Sequence, residues 1–226
     1  PDAADKPAAN GFLAGLFGGA GQADTDGPAA PTSKQRPKLP APLARAALAG
    51  GDVVVAGPSG YCVDPTTLQA RVERGFALIA SCDILSDGKA GAPVAPMLVS
   101  VTVGPRGDTG DLPGPRAIAA AAEAPLLSAE TSDGFVAAQL GKGGDSLLPN
   151  GDARHWRGGF VLNGRLVGLA LYAPKGSALA GEGGAAMLAK VKTQITTQSG
   201  ANAAPIARPA KAQPAKEGLF GRLLKR

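Results

Sequence analysis

The alternation of hydrophobic and polar positions predicts a series of short β-strands in the middle of the chain. Three apolar runs bounded by Gly, Pro or Asp predict the first strands: Asp52–Ala56, Tyr61–Asp64 and Phe76–Cys82. Met97–Val103 alternates more cleanly and places Ser100 and Thr102 on one face. This pattern is typical of an antiparallel strand with one side toward water.

The clearest local signal is a β-hairpin followed by a helix. Trp156–Leu162 and Arg165–Tyr172 are apolar runs joined by Asn-Gly, the pair that best supplies the positive φ angles of a type I′ turn. From Gly184 the apolar positions change to a helical period and share one face: Met187, Leu188, Val191 and Ile195. We therefore expect a C-terminal helix that packs on the sheet.

Other segments are less sharply defined by their pattern. Pro115–Glu123 begins with Pro and continues with strong helix formers, so it predicts a second helix. Residues 66–73 fit a brief helix or an irregular crossing, and residues 44–48 fit a short helical turn. Within residues 125–154 one strand is expected near Phe135–Leu140, before a glycine-rich loop.

These elements predict one α+β domain at residues 51–199, with a mostly antiparallel sheet flanked by helices. The whole chain holds 33 Gly and 20 Pro in 226 residues. Residues 1–50 contain seven Pro, which predicts a disordered Pro/Ala/Gly-rich tail. Residues 200–226 are predicted to be a basic linker that ends in a short amphipathic segment.

The charge is distributed unevenly between the domain and its tails. Residues 201–226 carry a net charge of +5, which equals the net charge of the entire chain. The predicted domain is therefore nearly neutral, and only 4% of the residues are aromatic. Binding to nucleic acids requires a basic face with stacking groups, so we expect no nucleic-acid partner.

The tails contain the most distinctive pattern in the chain. Gly-Leu-Phe-Gly occurs at 15–18 and again at 218–221, and a basic amphipathic tip on a linker is typical of a tethered docking peptide. The target would be a protein partner in the envelope or, weakly, an anionic membrane surface; a frayed terminus is the alternative. The predicted partner-binding residues are Phe12, Leu16, Phe17, Leu219, Phe220, Arg222, Leu223 and Leu224.

The compartment is inferred from the two cysteines and the start of the chain. Cys62 and Cys82 lie in or beside predicted strands, and two Cys at this separation suit one disulfide in an oxidising compartment. Two buried free thiols are the alternative. The chain starts at Pro1 with small, polar and acidic residues, as mature exported chains often do, so we expect a periplasmic or otherwise exported protein, with membrane association as an alternative.

Candidate catalytic groups are few. His155 is the single histidine, and its position at the start of a predicted strand predicts a surface or rim location. No Gly-x-Ser-x-Gly motif, which would hold a nucleophilic serine, is present. Asp64 and Asp83 follow the two cysteine regions; solvated acids at strand ends are the favoured interpretation, and a shared cleft, which a bridge between the cysteines would allow, is the alternative. The sequence predicts no metal site, and no cofactor is expected because no phosphate-binding glycine motif opens a helix.

Two arrangements resemble known proteins. The chain resembles small exported bacterial envelope proteins of unknown function in three segments: Gly60–Pro65, a strand ending in Cys82-Asp83, and the hairpin with its closing helix. The element order resembles the PsbP-like α/β/α fold, over residues 52–198. This resemblance implies an accessory or assembly role without catalysis, and no functional residue is carried over from it.

The sequence therefore predicts an exported, non-enzymatic envelope accessory protein that binds a larger complex through its tails. The alternative is a small ligand-binding or hydrolase-like domain with a cleft near Asp64, Asp83, His155 and Trp156. Burial of His155 beside an acid or a thiol would favour the alternative.

Overall fold

The computed structural model describes residues 40–107, 111–132 and 134–201. Ten strands lie in this part of the chain: β1 (Arg45–Leu48), β2 (Val53–Ala56), β3 (Tyr61–Val63), β4 (Gln69–Ala70), β5 (Gly75–Ser81), β6 (Leu98–Arg106), β7 (Leu126–Ser132), β8 (Phe135–Leu140), β9 (His155–Leu162) and β10 (Arg165–Tyr172). Three α-helices accompany them: α1 (Cys82–Leu85), α2 (Pro115–Ala121) and α3 (Gly183–Ala201). Two short 3₁₀ turns occur at Ala49–Gly51 and Gly144–Ser146.

Eight strands form one antiparallel sheet. Its order is β3-β5-β6-β10-β9-β8-β7, and β4 pairs with one end of β5. The β9–β10 hairpin turns at Asn163-Gly164, where both residues have positive φ, as a type I′ turn requires. Strands β1 and β2 form a separate two-stranded sheet. The fold is thus α+β with a mostly antiparallel sheet, as the sequence predicted.

One face of the sheet carries the main core. Alternate residues of the central strands point toward α3, and Phe135, Phe160 and Leu171 are fully buried there. Helix α3 contributes Leu188, Val191 and Ile195 at helical spacing, all with no exposed surface. Each of these buried side chains stabilises the fold by about 1.5–3 kcal/mol. The β1–β2 hairpin completes this layer beside α3.

The opposite face is covered over only part of its width. Helix α2 packs on β7 and β8 through a small cluster that contains Ala119, Ala138 and Leu140. In the described part of the chain, no helix makes a comparable contact with β5, β6 or β10 on this side. We call this surface the open face, defined by Ser100, Thr102, Gly159, Gly168 and Ala170.

Several local predictions need correction. Residues 44–48 do not form a helical turn, because β1 pairs with β2 there, and the domain therefore begins before the predicted boundary at residue 51. For residues 66–73 the structure has the second of the two predicted alternatives, an irregular crossing, which contains the two-residue β4. Strand β7 was not predicted, since all seven of its residues are exposed and carry no hydrophobic alternation. At the other end, α3 continues to Ala201.

None of the helices in the described ranges is long and apolar enough to cross a membrane. The predicted disulfide is confirmed: Cys62 and Cys82 are bonded, with a Cα–Cα distance of 4.9 Å. It ties β3 to the first residue of α1. The disulfide is compatible with an exported protein.

Candidate functional site

The open face holds a groove floored by small side chains. Register places Gly168 of β10 opposite Thr102 of β6 and Gly159 of β9, while Ala170 lies opposite Ser100 and Arg157. Because neighbouring strands lie about 4.8 Å apart, these residues form a patch three strands wide. The patch is lower than its surroundings where its side chains are short, at Ser100, Thr102, Gly159, Gly168 and Ala170.

Two facing glycines, Gly159 and Gly168, form part of this floor, and we call this pair the glycine dimple. Thr102 Oγ1 lies 2.7 Å from the position that a Cβ atom of Gly168 would take. A Cβ atom built on Gly159 would have only ordinary contacts, 3.6 Å from the Val167 carbonyl oxygen and 3.9 Å from Leu166 Cδ1. Space for a side chain thus exists above Gly159. Glycine in a strand often marks a place where another group approaches closely.

The walls of the groove are apolar. Helix α2 supplies Ala117, Ile118 and Ala121 on one side, and the hairpin supplies Leu166 near the turn. The groove encloses about 430 Å³ and opens to solvent, a volume within the usual range for ligand sites. Leu166 and its cross-strand partner Val161 are 42% and 40% exposed, so an apolar rim remains in contact with water.

One end of the groove carries its charged and aromatic groups. Arg157 lines the groove and donates from Nε to His155 Nε2 at 3.4 Å. The His155 ring stacks on Tyr172, with centroids 5.2 Å apart and planes 10° from parallel. Since Nε2 accepts this bond, the neutral ring carries its proton on Nδ1, which has no hydrogen-bond partner among the described residues.

The position of His155 differs from the prediction of a surface or rim site. Its side chain is buried because Tyr172 covers one ring face and β9 continues past it. Burial, followed by the charge of Arg157, lowers the pKa of His155 below its ordinary value of 6.5. No carboxylate or thiol in the described part of the chain hydrogen-bonds to the ring, although the Ala153 backbone and the charge of Asp145 act in the opposite direction and favour the protonated form.

The structure does not bring His155, Asp64 and Asp83 into one cleft. His155 lies four strand spacings from Cys62, about 19 Å across the sheet. Asp64 lies at the level of Leu78 in the middle of β5, whereas Asp83 follows the end of that strand. At least three strand residues, about 10 Å, separate the two levels.

The two aspartates have local structural roles. Both Asp64 carboxylate oxygens accept hydrogen bonds from Thr66, one of them from its backbone N–H at 2.8 Å, which stabilises the turn after β3. Asp83 lies in the first turn of α1, behind the N-cap Ser81, where a negative charge is favourable.

The most connected buried charge lies at the opposite end of β10 from Tyr172. Arg165 donates to Asp52 Oδ2 at 2.7 Å and to the carbonyl oxygens of Glu73 and Gly104 at 2.9 and 3.2 Å. Asp52 also pairs with Arg106 at 2.6 Å. The hydrogen bonds from Arg165, then those from Arg106, lower the pKa of Asp52. Every group of this cluster is paired, so its role is to join the β1–β2 connection to the large sheet.

A second cavity, of about 410 Å³, lies beside Asp152 and Lys175. The carboxylate of Asp152 is neutralised, because Asp152 accepts two hydrogen bonds from the Arg154 side chain and one from the Gly176 N–H. The Arg154 hydrogen bond lowers the pKa of Asp152 well below its usual range. This arrangement closes a loop, and Asp145 also lines the cavity.

The remaining predicted residues lie outside the described part of the chain. These are Phe12, Leu16, Phe17, Leu219, Phe220, Arg222, Leu223 and Leu224. Their role in partner binding stays a prediction. Within the described ranges, no three His, Cys, Asp or Glu side chains are grouped to hold a metal ion.

Comparison with known proteins identifies no relative: no protein-family model, no curated protein and no solved structure matches this chain. Sequence reasoning did not identify the groove, although its signal was present. Ser100 and Thr102 were placed on a wet face of β6, and they now line the groove beside the glycine dimple.

Proposed function

We propose that this chain is an exported, non-enzymatic accessory protein of the cell envelope, whose domain binds an extended apolar peptide of a protein partner in the groove of the open face. The observation that carries the proposal is the uncovered apolar groove beside α2. The disulfide between Cys62 and Cys82 supports an oxidising compartment. The C-terminal tip at 218–226 remains a predicted second contact with the same complex or an anionic membrane.

The chemistry of the groove favours a peptide that carries an aromatic side chain. Above Gly159 the floor has room for a side chain, bordered by the Thr102 hydroxyl over Gly168, and a flat ring fills such a depression with large apolar contact. The rim residues Val161 and Leu166 would lose their contact with water. Arg157 at the end of the groove offers donors to a carbonyl or carboxylate of the peptide.

The contacts of His155 support binding rather than catalysis. Arg157 and Tyr172 contact its ring, and the Arg157 cation opposes the protonated form more strongly than the Asp145 charge favours it. The polar groups at this end of the groove therefore suit recognition of a partner.

The test is a titration of the full chain, with ¹³C-labelled methyl groups, with the peptide acetyl-Gly-Leu-Phe-Gly-amide. We expect shifts at the methyls of Ile118, Val161 and Leu166, because these line or border the groove. Acetyl-Gly-Leu-Ser-Gly-amide is the matched control and should shift them far less.

A variant that fills the dimple sharpens the test. Gly159→Val should abolish the shifts while the domain stays folded, since a Cβ at residue 159 meets no atom closer than 3.6 Å and Val favours strands. The proposal is wrong if the Phe peptide leaves these methyls unchanged at millimolar concentrations, both in the wild-type chain and in a Phe12→Ser/Phe17→Ser variant.

A further inference from the structure

We propose that the groove binds the C-terminal end of its partner peptide: the terminal carboxylate pairs with Arg157, and an aromatic side chain at the next-to-last position rests above Gly159. This inference rests on the proposed function, because it assumes that an apolar peptide occupies the groove. It adds the part of the partner that the groove recognises, a free carboxyl terminus, and it gives the peptide a direction along the sheet.

Arg157 is the charged group that faces this peptide. Among the described residues that line the groove, it is the one with a charged side chain. No carboxylate in the described ranges lies within ion-pair distance of it. A guanidinium carries five N–H donors in a planar fork. An anionic group of a ligand therefore finds a cation without a counter-charge in an otherwise apolar groove.

A neighbouring ring holds the guanidinium in place. Arg157 donates from Nε to His155 Nε2 at 3.4 Å, and the His155 ring is itself stacked on Tyr172. This contact uses one of the five donors, so the two terminal nitrogens, Nη1 and Nη2, remain for a ligand. Two parallel hydrogen bonds from these nitrogens to one carboxylate form the strong bidentate arrangement of arginine.

The groove is closed beyond Arg157. The next side chains of this face toward that end, His155 and Tyr172, are only 3% and 5% exposed. The loop after β8 contributes to this cover, because a Cβ atom on Gly143 would lie 3.8 Å from His155 Cε1. A peptide that runs along the strands toward Arg157 meets buried groups there. A chain that ends at this point therefore fits better than one that continues.

The other end of the groove is open and lies about one tetrapeptide away. Val161 and Leu166, next to the hairpin turn, are exposed. Arg157 precedes Val161 by four residues in β9, a distance of about 13 Å, which is also the length of about four residues in an extended peptide. The peptide thus enters over the hairpin and ends at Arg157.

The position of Gly159 selects the aromatic residue of this peptide. Gly159 is two residues from Arg157 in β9, about 7 Å along the strand, and it has room for a side chain above it. One further extended residue of about 3.3 Å and a hydrogen bond of about 2.9 Å together span nearly this distance. The ring therefore belongs to the residue before the C-terminal one.

Two peptides that differ only at the C-terminus test the pairing. Acetyl-Gly-Leu-Phe-Gly-OH carries the carboxylate that acetyl-Gly-Leu-Phe-Gly-amide lacks, and titration of the full chain with ¹³C-labelled methyl groups gives both Kd values. We expect the acid to bind about fivefold more tightly. This ratio converts to about 1 kcal/mol, the upper end for an exposed ion pair.

Substitution of the arginine should remove the difference. In Arg157→Gln the two peptides should bind with equal Kd. Arg116→Gln is the matched control, because it removes the same charge from an exposed position of α2 that does not line the groove, and it should keep the fivefold preference. In the wild-type chain, the Arg157 Nε–H signal should shift with the acid and far less with the amide.

A third peptide separates a terminal carboxylate from a general attraction of acids. Acetyl-Asp-Leu-Phe-Gly-amide carries the same charge before the ring, and it should bind no more tightly than acetyl-Gly-Leu-Phe-Gly-amide. An equal gain from this Asp would overturn the inference. Equal Kd values for the acid and the amide in the wild type, or a preference that survives Arg157→Gln, would also overturn it, although the groove would still bind peptides. If none of the peptides shifts the groove methyls, the proposed function itself is wrong.

Discussion

Two arginines that share one carboxylate test how burial determines the contribution of an ion pair to the free energy of unfolding. Arg165 and Arg106 contact the two oxygens of Asp52 at 2.7 and 2.6 Å, yet their side chains are 5% and 59% exposed. We expect Arg165→Met to destabilise the fold by about 3 kcal/mol, at the low end of the cost of breaking a buried pair. The low end applies because Asp52 keeps Arg106 as a partner.

The magnitude follows from the groups that lose their donor. Arg165→Met removes the guanidinium from the Glu73 and Gly104 carbonyl oxygens, and a hydrogen bond to a charged group contributes about 1.5–3 kcal/mol. Arg106→Met is the matched control, because an exposed pair contributes at most about 1 kcal/mol.

Urea unfolding of the full chain separates the two cases. With a slope of about 2 kcal/mol/M, Arg165→Met should lower the midpoint by about 1.5 M and Arg106→Met by less than about 0.5 M. An unchanged slope would show that both variants unfold from a native state of similar compactness. Equal midpoints for the two variants would refute the reasoning, since burial would then have no effect on the value of the pair.

Three further predictions concern single features of the fold. Cys62→Ala/Cys82→Ala should lower the free energy of unfolding by about 3 kcal/mol, because the bond closes a loop with a sequence separation of 20; thermal unfolding in non-reducing buffer measures this. The wild type should lose stability as pH falls below about 6.5, by at most about 1.4 kcal/mol per pH unit. The reason is that burial lowers the pKa of His155, so that in this pH window only the unfolded chain takes up the proton. His155→Phe should remove this pH dependence when urea unfolding is measured at pH 5–7, and the same change in unfolding free energy per pH unit in both chains would contradict it. Gly184→Val should cost about 2–3 kcal/mol, since its Cβ would overlap the Trp156 ring, and an unaltered melting temperature would show that α3 shifts freely.

The elements with strong local patterns were predictable from the sequence. The hairpin was identified because Asn163-Gly164 separates two apolar runs, and α3 because Leu188, Val191 and Ile195 recur at helical spacing. Both signals depend on residues near one another in the chain. The disulfide was predictable because only one pairing of two cysteines exists.

The parts that depend on register between distant strands were not predictable. Strand β7 has no alternation because both of its faces are exposed, and its pairing with β8 alone defines it. The groove needs Thr102 and Gly168 side by side, although 66 residues separate them. The burial of His155 likewise follows from Tyr172, which the sheet places beside it.

The route of the chain explains why the open face exists. Strands β9 and β10 lie between β6 and β8, so the connection from β6 to β7 must cross four strand spacings, about 19 Å. It crosses on the open-face side and places α2 near its far end, over β7 and β8. Helix α3 then follows β10 and packs on the other face. No helix of the described part of the chain therefore covers β5, β6 and β10 on the open face. A cover for the groove has to come from residues outside these elements or from another molecule.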